Sequence, residues 1–288
     1  MKCRKCGKKA VANLKQYKIA LCENCFPIFY ESLVKRCVKK YGILKKDERI
    51  LAAVSGGKDS IAMITVLKKL NYNVEMLYID LGIGDYSKNC EKIVEKLAET
   101  IDVNLNIVRL LDYGFTIDNV ELKKVCSACG TSKRYLMNRY ARENKFDVIA
   151  TGHTSEDITS FAIKNIVGGN FGWIEKLKPR IESFDAKIVP KARPLFERME
   201  KENMLYVLTL NLPFSSENCP NAPINDWKEI VYEIESRKIG FNQNFVRGLV
   251  RIGEKVEQEI RYCEICGEVS ISNICAFCKL VKRYSQSC

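Results

Sequence analysis

The 288-residue sequence predicts an α/β fold, a parallel sheet covered by helices on both faces with a small four-cysteine module at each end. Three observations predict it. From residue 50 to residue 167, short apolar runs alternate with stretches of helical periodicity. A tight Ser55-Gly56-Gly57-Lys58-Asp59-Ser60 turn joins the first apolar run to the first helical stretch. Two pairs of Cys-x-x-Cys motifs lie at opposite ends of the chain. Composition agrees with a folded globular protein: 47% of residues are hydrophobic and 28% charged. No run approaches the roughly 18 apolar residues of a membrane span, and the first residues lack the apolar stretch of a signal peptide. A cytoplasmic protein with no membrane contact is expected. In a reducing compartment, 14 cysteines point to metal or redox chemistry rather than disulfides. The formal net charge of +12 points to a polyanionic partner, with nucleic acid the leading candidate.

Residues 1–30 form the first module. Cys3-x-x-Cys6 is followed after fifteen residues by Cys22-x-x-Cys25, a spacing that suits a four-thiolate zinc site. Each motif turns two sulfurs toward one point, and two turns complete a tetrahedron. Gly7 suits the positive φ of such a turn. Residues 31–48 read as a basic linker helix. Leu33, Val34, Cys37, Val38 and Tyr41 recur at helical spacing within Phe26–Lys46, while Lys35, Arg36, Lys39 and Lys40 fill the other face, either solvated or facing RNA.

Residues 49–220 carry the βα alternation. Strands are expected at Ile50–Val54, Val74–Asp80, Val103–Leu110 and Val148–Thr151, and helices at Ser60–Leu70, Cys90–Ile101, Ser132–Asn144 and Ser155–Val167. Further helices are expected at Arg198–Leu210 and Trp227–Ile239. Another, over Phe245–Tyr262, completes a helical extension of residues 221–262. Residues 263–288 form the second module, where Cys263-x-x-Cys266 and Cys275-x-x-Cys278 offer another zinc site with a shorter loop between the pairs. Zinc would fold short segments that cannot build cores of their own. The competing redox reading is weak for paired motifs.

The Ser55–Ser60 turn sits where α/β sheets bind ligands. Two glycines let the backbone approach a phosphate, and the amides of a helix N-terminus then meet the negative charge. Ser55 and Ser60 offer hydroxyls and Lys58 a cation. Asp59 is out of place in a bare phosphate cradle, so it is expected to orient the loop or help hold magnesium. The Walker A and GxGxxG spacings are absent. Cys126-x-x-Cys129 and the distant Cys219 remain. A lone Cys-x-x-Cys is open between a redox couple, a metal site and coincidence. Together, the three thiols could hold an iron–sulfur cluster with one iron left open. Cys37, Cys90 and Cys288 are isolated and read as buried apolar fillers or bystanders.

The SGGKDS turn resembles the PP-loop of N-type ATP pyrophosphatases. Across nearly its whole length the chain resembles the TtuA/Ncs group of tRNA 2-thiouridine synthetases, in the TtcA–TtuA family. Besides the zinc pairs and the PP-loop, the likeness rests on Asp80-Leu81-Gly82-Ile83, Cys126–Arg134 (CSACGTSKR) and Thr151-Gly152-His153 with Asp157. Arg193-Pro194-Leu195 and Glu217-Asn218-Cys219-Pro220 complete it. The resemblance implies a Rossmann-like PP-loop domain that activates a tRNA uridine with ATP, then transfers sulfur to C2 and releases AMP. It implies ATP and Mg2+ at Ser55–Ser60, Asp80, Gly152 and His153. It also implies a 4Fe–4S cluster on Cys126, Cys129 and Cys219, active-site roles for Lys133 and Asp157, and two Zn2+ on the terminal modules. Persulfide or disulfide use of the middle cysteines is its alternative.

As partners the resemblance implies tRNA, a homodimer, and a sulfur donor that is a ubiquitin-like protein thiocarboxylate, a persulfide carrier or sulfide. The family commonly reads TGHNLDD, whereas Thr154 and Glu156 stand here, and Gly168-Gly169-Asn170 differs as well. These departures leave room for a paralogue with a shifted substrate. His153, the single histidine, is expected to be structural or substrate-contacting rather than a general base. A PP-loop ligase of a small molecule would leave the terminal modules and the charge without purpose. A zinc-stapled RNA-binding protein with a vestigial loop would leave the intact SGGKDS and the cysteine trio without one.

Overall fold

The computed structural model describes residues 1–121, 125–222, 226–252, 261–267, 269–270 and 272–274. The chain divides into two compact units, Met1–Val250 and Arg251–Cys288. The larger unit opens with a hairpin of β1 (Ala12–Leu14) and β2 (Ile19–Leu21), too short to be read from the sequence, and then α1 (Cys25–Tyr41). The helix expected to reach Lys46 stops at Tyr41. Gly42 takes a left-handed φ of 57°, and its N–H and that of Ile43 turn back to the carbonyls of Lys39 and Val38.

The βα alternation follows as β3 (Ile50–Val54), α2 (Lys58–Lys69), β4 (Val74–Asp80), α3 (Gly84–Ile101), β5 (Leu105–Arg109), α4 (Val125–Glu143), β6 (Val148–Thr151) and α5 (Ser155–Val167). Two short strands, β7 (Arg180–Ile181) and β8 (Lys191–Ala192), complete one sheet of order β5-β4-β3-β6-β8-β7. Every neighbouring pair is parallel except β7 with β8. From β3 the chain adds β4 and β5 on one side and returns to place β6 on the other. A crevice therefore opens between the carboxyl ends of β3 and β6, the switch point at which such sheets bind ligands. The helices α6 (Glu200–Thr209), α7 (Asp226–Arg237) and α8 (Phe241–Val250) end this unit. In its core α1 meets α6, and Tyr30 and Tyr206 stack with ring centroids 4.3 Å apart.

Three further expectations change. The helix expected from Ser132 begins at Val125, and the one expected from Cys90 begins at Gly84. Both starts were hidden because the added turns, GDYSKN and VCSACGT, are polar or built of small residues and carry no apolar helical period. The helix expected over Phe245–Tyr262 is α8 alone within the described residues, and Arg261–Tyr262 form β9, paired antiparallel with β10 (Val269–Ser270). The smaller unit shows the same turn as the first module. The Gly267 N–H bonds the Cys263 carbonyl at 2.8 Å with φ 76°, as Gly7 bonds Cys3 at 2.9 Å with φ 75°. Cys275, Cys278 and Cys288 lie outside the described residues. Among those described, no helix is long and apolar enough to cross a membrane.

Candidate active site

The Ser55–Ser60 turn leaves β3 and opens α2 without a side-chain cap, so the backbone N–H groups of the first turn of α2 have no capping partner. Ser60 shapes the turn. Its hydroxyl accepts from Ser55 N at 3.1 Å and donates to the Gly57 carbonyl at 2.9 Å. The turn is also pinned from outside, where Ser215 N donates to the Gly56 carbonyl at 2.8 Å. Gly56 has a φ of 79°, and a Cβ there would sit 3.2 Å from Cys90 Cβ. Asp59 orients the loop: its carboxylate accepts from Asn203 Nδ2 at 2.8 Å and from Lys58 Nζ at 3.0 Å. Asn203 is itself held by the Tyr30 hydroxyl at 2.6 Å.

The segment after β6 closes on this turn. A Cβ on Gly152 would lie 3.0 Å from the carbonyl carbon of Asp59 and from Ser60 N, so only glycine lets the two loops touch backbone to backbone. His153 Nδ1 pairs with Thr151 Oγ1 at 2.8 Å, and burial, with Arg193 nearby, holds the imidazole below its usual range. A neutral ring of that kind fits a structural or substrate-contacting role. Asp157 is a capping residue of α5. Its Oδ2 accepts from Thr154 N at 2.9 Å while its own N–H bonds Thr154 Oγ1. Thr154, one of the departures from the family pattern, thus caps α5. Burial would raise the Asp157 carboxyl, but the Lys228 ammonium 2.8 Å away brings it below the ordinary range. Asp80 caps the next loop by accepting from Gly82 N at 2.8 Å, at the carboxyl end of β4.

Sequence reasoning missed two members of the site. Glu200, in the first turn of α6, bonds Lys58 Nζ through Oε2 at 2.9 Å and Lys228 through Oε1. A chain of alternating charge, Lys58–Glu200–Lys228–Asp157, therefore crosses the crevice. Glu200 and Lys228 stand far from the PP-loop in sequence, and nothing local marks either as a partner of Lys58. Beneath them Glu156 is 2% exposed. It accepts from Glu200 N at 3.1 Å and Ser155 Oγ at 3.0 Å, and burial pushes its carboxyl up to about 8. The unfolded chain would release this proton near 4.5. Between those values the folded protein binds more protons than the unfolded one, so stability falls as pH rises through that window. The cost is absent below the window and complete above it. Glu156→Gln can keep both contacts as a neutral amide. Thermal unfolding midpoints across this window are expected to lose that decline in the variant and to exceed wild type above pH 8; an unchanged profile would refute the assignment.

The starting point of α4 decides the other half of the site. With the helix beginning at Val125, Cys126, Cys129 and Lys133 stand on one face at i, i+3 and i+7. Cys129 and Cys219 pack against one apolar cluster that includes Leu81, Ile83 and Leu136. The Cys126 thiol donates to the Asn221 carbonyl at 3.2 Å, joining α4 to the segment after Cys219. A cavity of about 140 Å³ is lined by Cys129, Cys219, Lys133 and Ser55 together, with Cys90 and Tyr86 in its wall. Cys90 is buried, as its isolation in the sequence suggested, but it faces this cavity and abuts the PP-loop. Cys129 and Cys219 against this apolar wall, with Cys126 exposed one turn earlier on α4, offer three thiols that fit an iron–sulfur cluster. Among the described residues, Cys3, Cys6, Cys22 and Cys25 are the only group of three or more His, Cys, Asp or Glu whose ligand atoms all lie within 4.8 Å of one another. That closeness suits one ion with metal–sulfur bonds of about 2.3 Å. A cluster with a separate iron per thiolate holds its sulfurs further apart.

The four N-terminal sulfurs also fit a cation electrostatically. Burial opposes charge on Cys3, but backbone N–H groups of Cys22, Cys6 and Lys5 outweigh it and bring the thiol to about 6. The Cys22 side chain pushes Cys25 up to about 12. Such crowding is what a divalent cation relieves.

A PP-loop domain model matches residues 29–218, and a model described as 2-thiouridine synthetase TtuA, N-terminal LIM domain, matches residues 2–27. The chain is 41% identical to the tRNA-5-methyluridine(54) 2-sulfurtransferase of Pyrococcus horikoshii, over 97% of this chain and 93% of that protein. It is 36% identical to the Thermotoga maritima protein of the same name, over 98% and 97%. Among solved structures it resembles the U34-tRNA thiolase NcsA from Methanococcus maripaludis with its 4Fe–4S cluster. The TM-score is 0.76 and the identity 28%, over 99% of this chain and 96% of that one.

Proposed function

The chain belongs to the PP-loop family that includes the tRNA-5-methyluridine(54) 2-sulfurtransferases, and we propose from this premise that it is an ATP-dependent tRNA uridine 2-sulfurtransferase acting at position 54. The observation that carries the proposal is the shared cavity, in which Ser55 of the PP-loop, Lys133, Cys129 and Cys219 face one another. Position 54 is favoured because the relatives at 41% and 36% identity carry that number in their names, while the position-34 enzyme stands at 28%.

The amides of the Ser55–Ser60 turn would hold the phosphates of ATP, with Lys58 as the adjacent cation. Lys58 is held between Asp59 and Glu200, so its ammonium is positioned before substrate arrives. Asp59, Asp80 and Asp157 are the carboxylates that would help hold a magnesium ion serving ATP. A uridine carbonyl oxygen leaves poorly. Transfer of AMP from ATP to the C2 oxygen, with loss of pyrophosphate, turns it into a good leaving group. Sulfide then attacks C2 and AMP departs with that oxygen. Lys133 faces the cavity where negative charge develops. Cys126, Cys129 and Cys219 would hold the 4Fe–4S cluster. When bound, that cluster supplies activated sulfur at its open iron. Cys3, Cys6, Cys22 and Cys25 would hold one zinc, and Cys263 and Cys266, with Cys275 and Cys278, a second.

Anaerobically purified protein should be brown, with iron, labile sulfide and zinc. With ATP, magnesium, sulfide and unmodified tRNA it should yield 2-thiouridine at position 54, read by nucleoside mass spectrometry of mapped fragments. Colourless, zinc-only protein with no thiolated product would overturn the proposal.

A further inference from the structure

A second cavity, of about 360 Å³, has no part in the chemistry described above. It lies between α1, the turn that enters α6, and α8. Arg36, Lys40, Arg198 and Arg247 face it, against one carboxylate, Glu197. That carboxylate is already engaged. It accepts from Arg247 at 2.7 Å, from the Tyr41 hydroxyl at 2.6 Å and from Lys40 at 3.0 Å. Arg36 is exposed and makes no hydrogen bond or ion pair among the described residues.

Arg198 is the unusual member. It is 1% exposed and the largest fully buried side chain among the described residues. One terminal nitrogen of its guanidinium bonds the Tyr17 hydroxyl at 2.7 Å and Glu202 at 3.4 Å. Its Nε has no hydrogen-bond partner among the described residues, and neither does the Nε of Arg247. A buried cationic N–H without an acceptor is costly, so native proteins rarely leave one. The pocket itself is lined by Arg36, Lys40, Arg198 and Arg247, and even with Glu202 paired to Arg198 and Glu197 to Arg247 it keeps more positive charge than these carboxylates offset, which suits a polyvalent oxygen anion. Guanidinium groups recognise phosphate through paired N–H donors.

We propose that this pocket binds a phosphate group and that the RNA backbone supplies it. The RNA source rests on the proposed function, whereas the phosphate chemistry rests on the pocket alone. The surroundings favour RNA. Lys35 and Lys39 continue the charge along α1, which leads directly from the four-cysteine module. A phosphate held here would fix the register of the tRNA without reading its sequence.

The test uses the full metallated protein and its Arg36→Gln and Arg247→Gln variants, singly and together. Both positions reach the pocket rim, and the buried Arg198 is left in place to preserve the fold. Binding of unmodified tRNA is measured over a series of monovalent salt concentrations. The double variant should bind more weakly, with a log–log salt slope shallower by about one. A fall of about two would mean independent surface contacts and overturn the pocket as one subsite. In parallel, inorganic phosphate is titrated without tRNA and the thermal midpoint followed. Phosphate protection should be smaller in the double variant, and the difference separates this pocket from the PP-loop. Loss of that protection with an unchanged tRNA slope would keep the pocket and assign it to a free phosphate-bearing small molecule. No effect in either arm would overturn the proposal. Wild-type protein that fails to bind tRNA would sink the functional reading, while the phosphate arm would still decide the pocket.

Discussion

Cys129→Ala is expected to abolish 2-thiouridine formation while a single turnover of ATP with tRNA still releases pyrophosphate. The two results separate because the thiol and the phosphate loop belong to different walls of one cavity. Alanine is the best helix former, and Cys129 is only half-buried within α4, so the fold should survive. What is lost is one of three thiols. Cys126 and Cys219 cannot replace it, because one lies a turn earlier on the helix and the other on a separate segment. Iron and labile sulfide in the anaerobic protein should fall with product formation. Wild-type thiolation by this variant would exclude the cluster reading and leave the persulfide alternative to the other cysteines.

Gly152→Ala should act on the opposite wall. The added methyl would meet the backbone of Asp59 and Ser60 at 3.0 Å, and backbone cannot swing aside as a flexible side chain can. The loop after β6 and the PP-loop would have to separate by a few tenths of an ångström or more. The amides that face the phosphates and the Lys58 ammonium move with them. Displacement of about an ångström in a positioned group can cost on the order of 10²-fold, so kcat/KM for ATP should fall by up to that factor. The iron content should not change, since α4 and Cys219 are not pushed. A variant with wild-type ATP kinetics would show that the two loops do not share a ligand.

The recurring βα pattern was legible because each element carries its own period. Ile50–Val54, Val74–Asp80, Val148–Thr151 and Ser155–Val167 fall where apolar spacing places them. The PP-loop was legible from its glycines, and the first four-cysteine module from cysteine spacing alone. The start of α4 was not, because Cys126-Ser127-Ala128-Cys129-Gly130 carries little helical signal and Gly130 opposes a helix. The hairpin at Ala12–Leu21 and the short strands β7 and β8 were also hidden, since two or three residues cannot display a period.

The sequence by itself determined which chemistry the protein possesses: thiols in metal-binding spacing, a glycine turn for phosphates, and an excess of positive charge. These are local properties, written into neighbouring residues and conserved through folding. Tertiary structure alone decided how those parts meet. It joined Lys58 to Glu200, 142 residues away, and Arg198 to Tyr17, 181 residues away. It set Cys90 beside the PP-loop and buried Glu156 deeply enough to retain its proton. Contacts across such separations depend on sheet order and helix packing, and residue spacing along the chain carries no record of either.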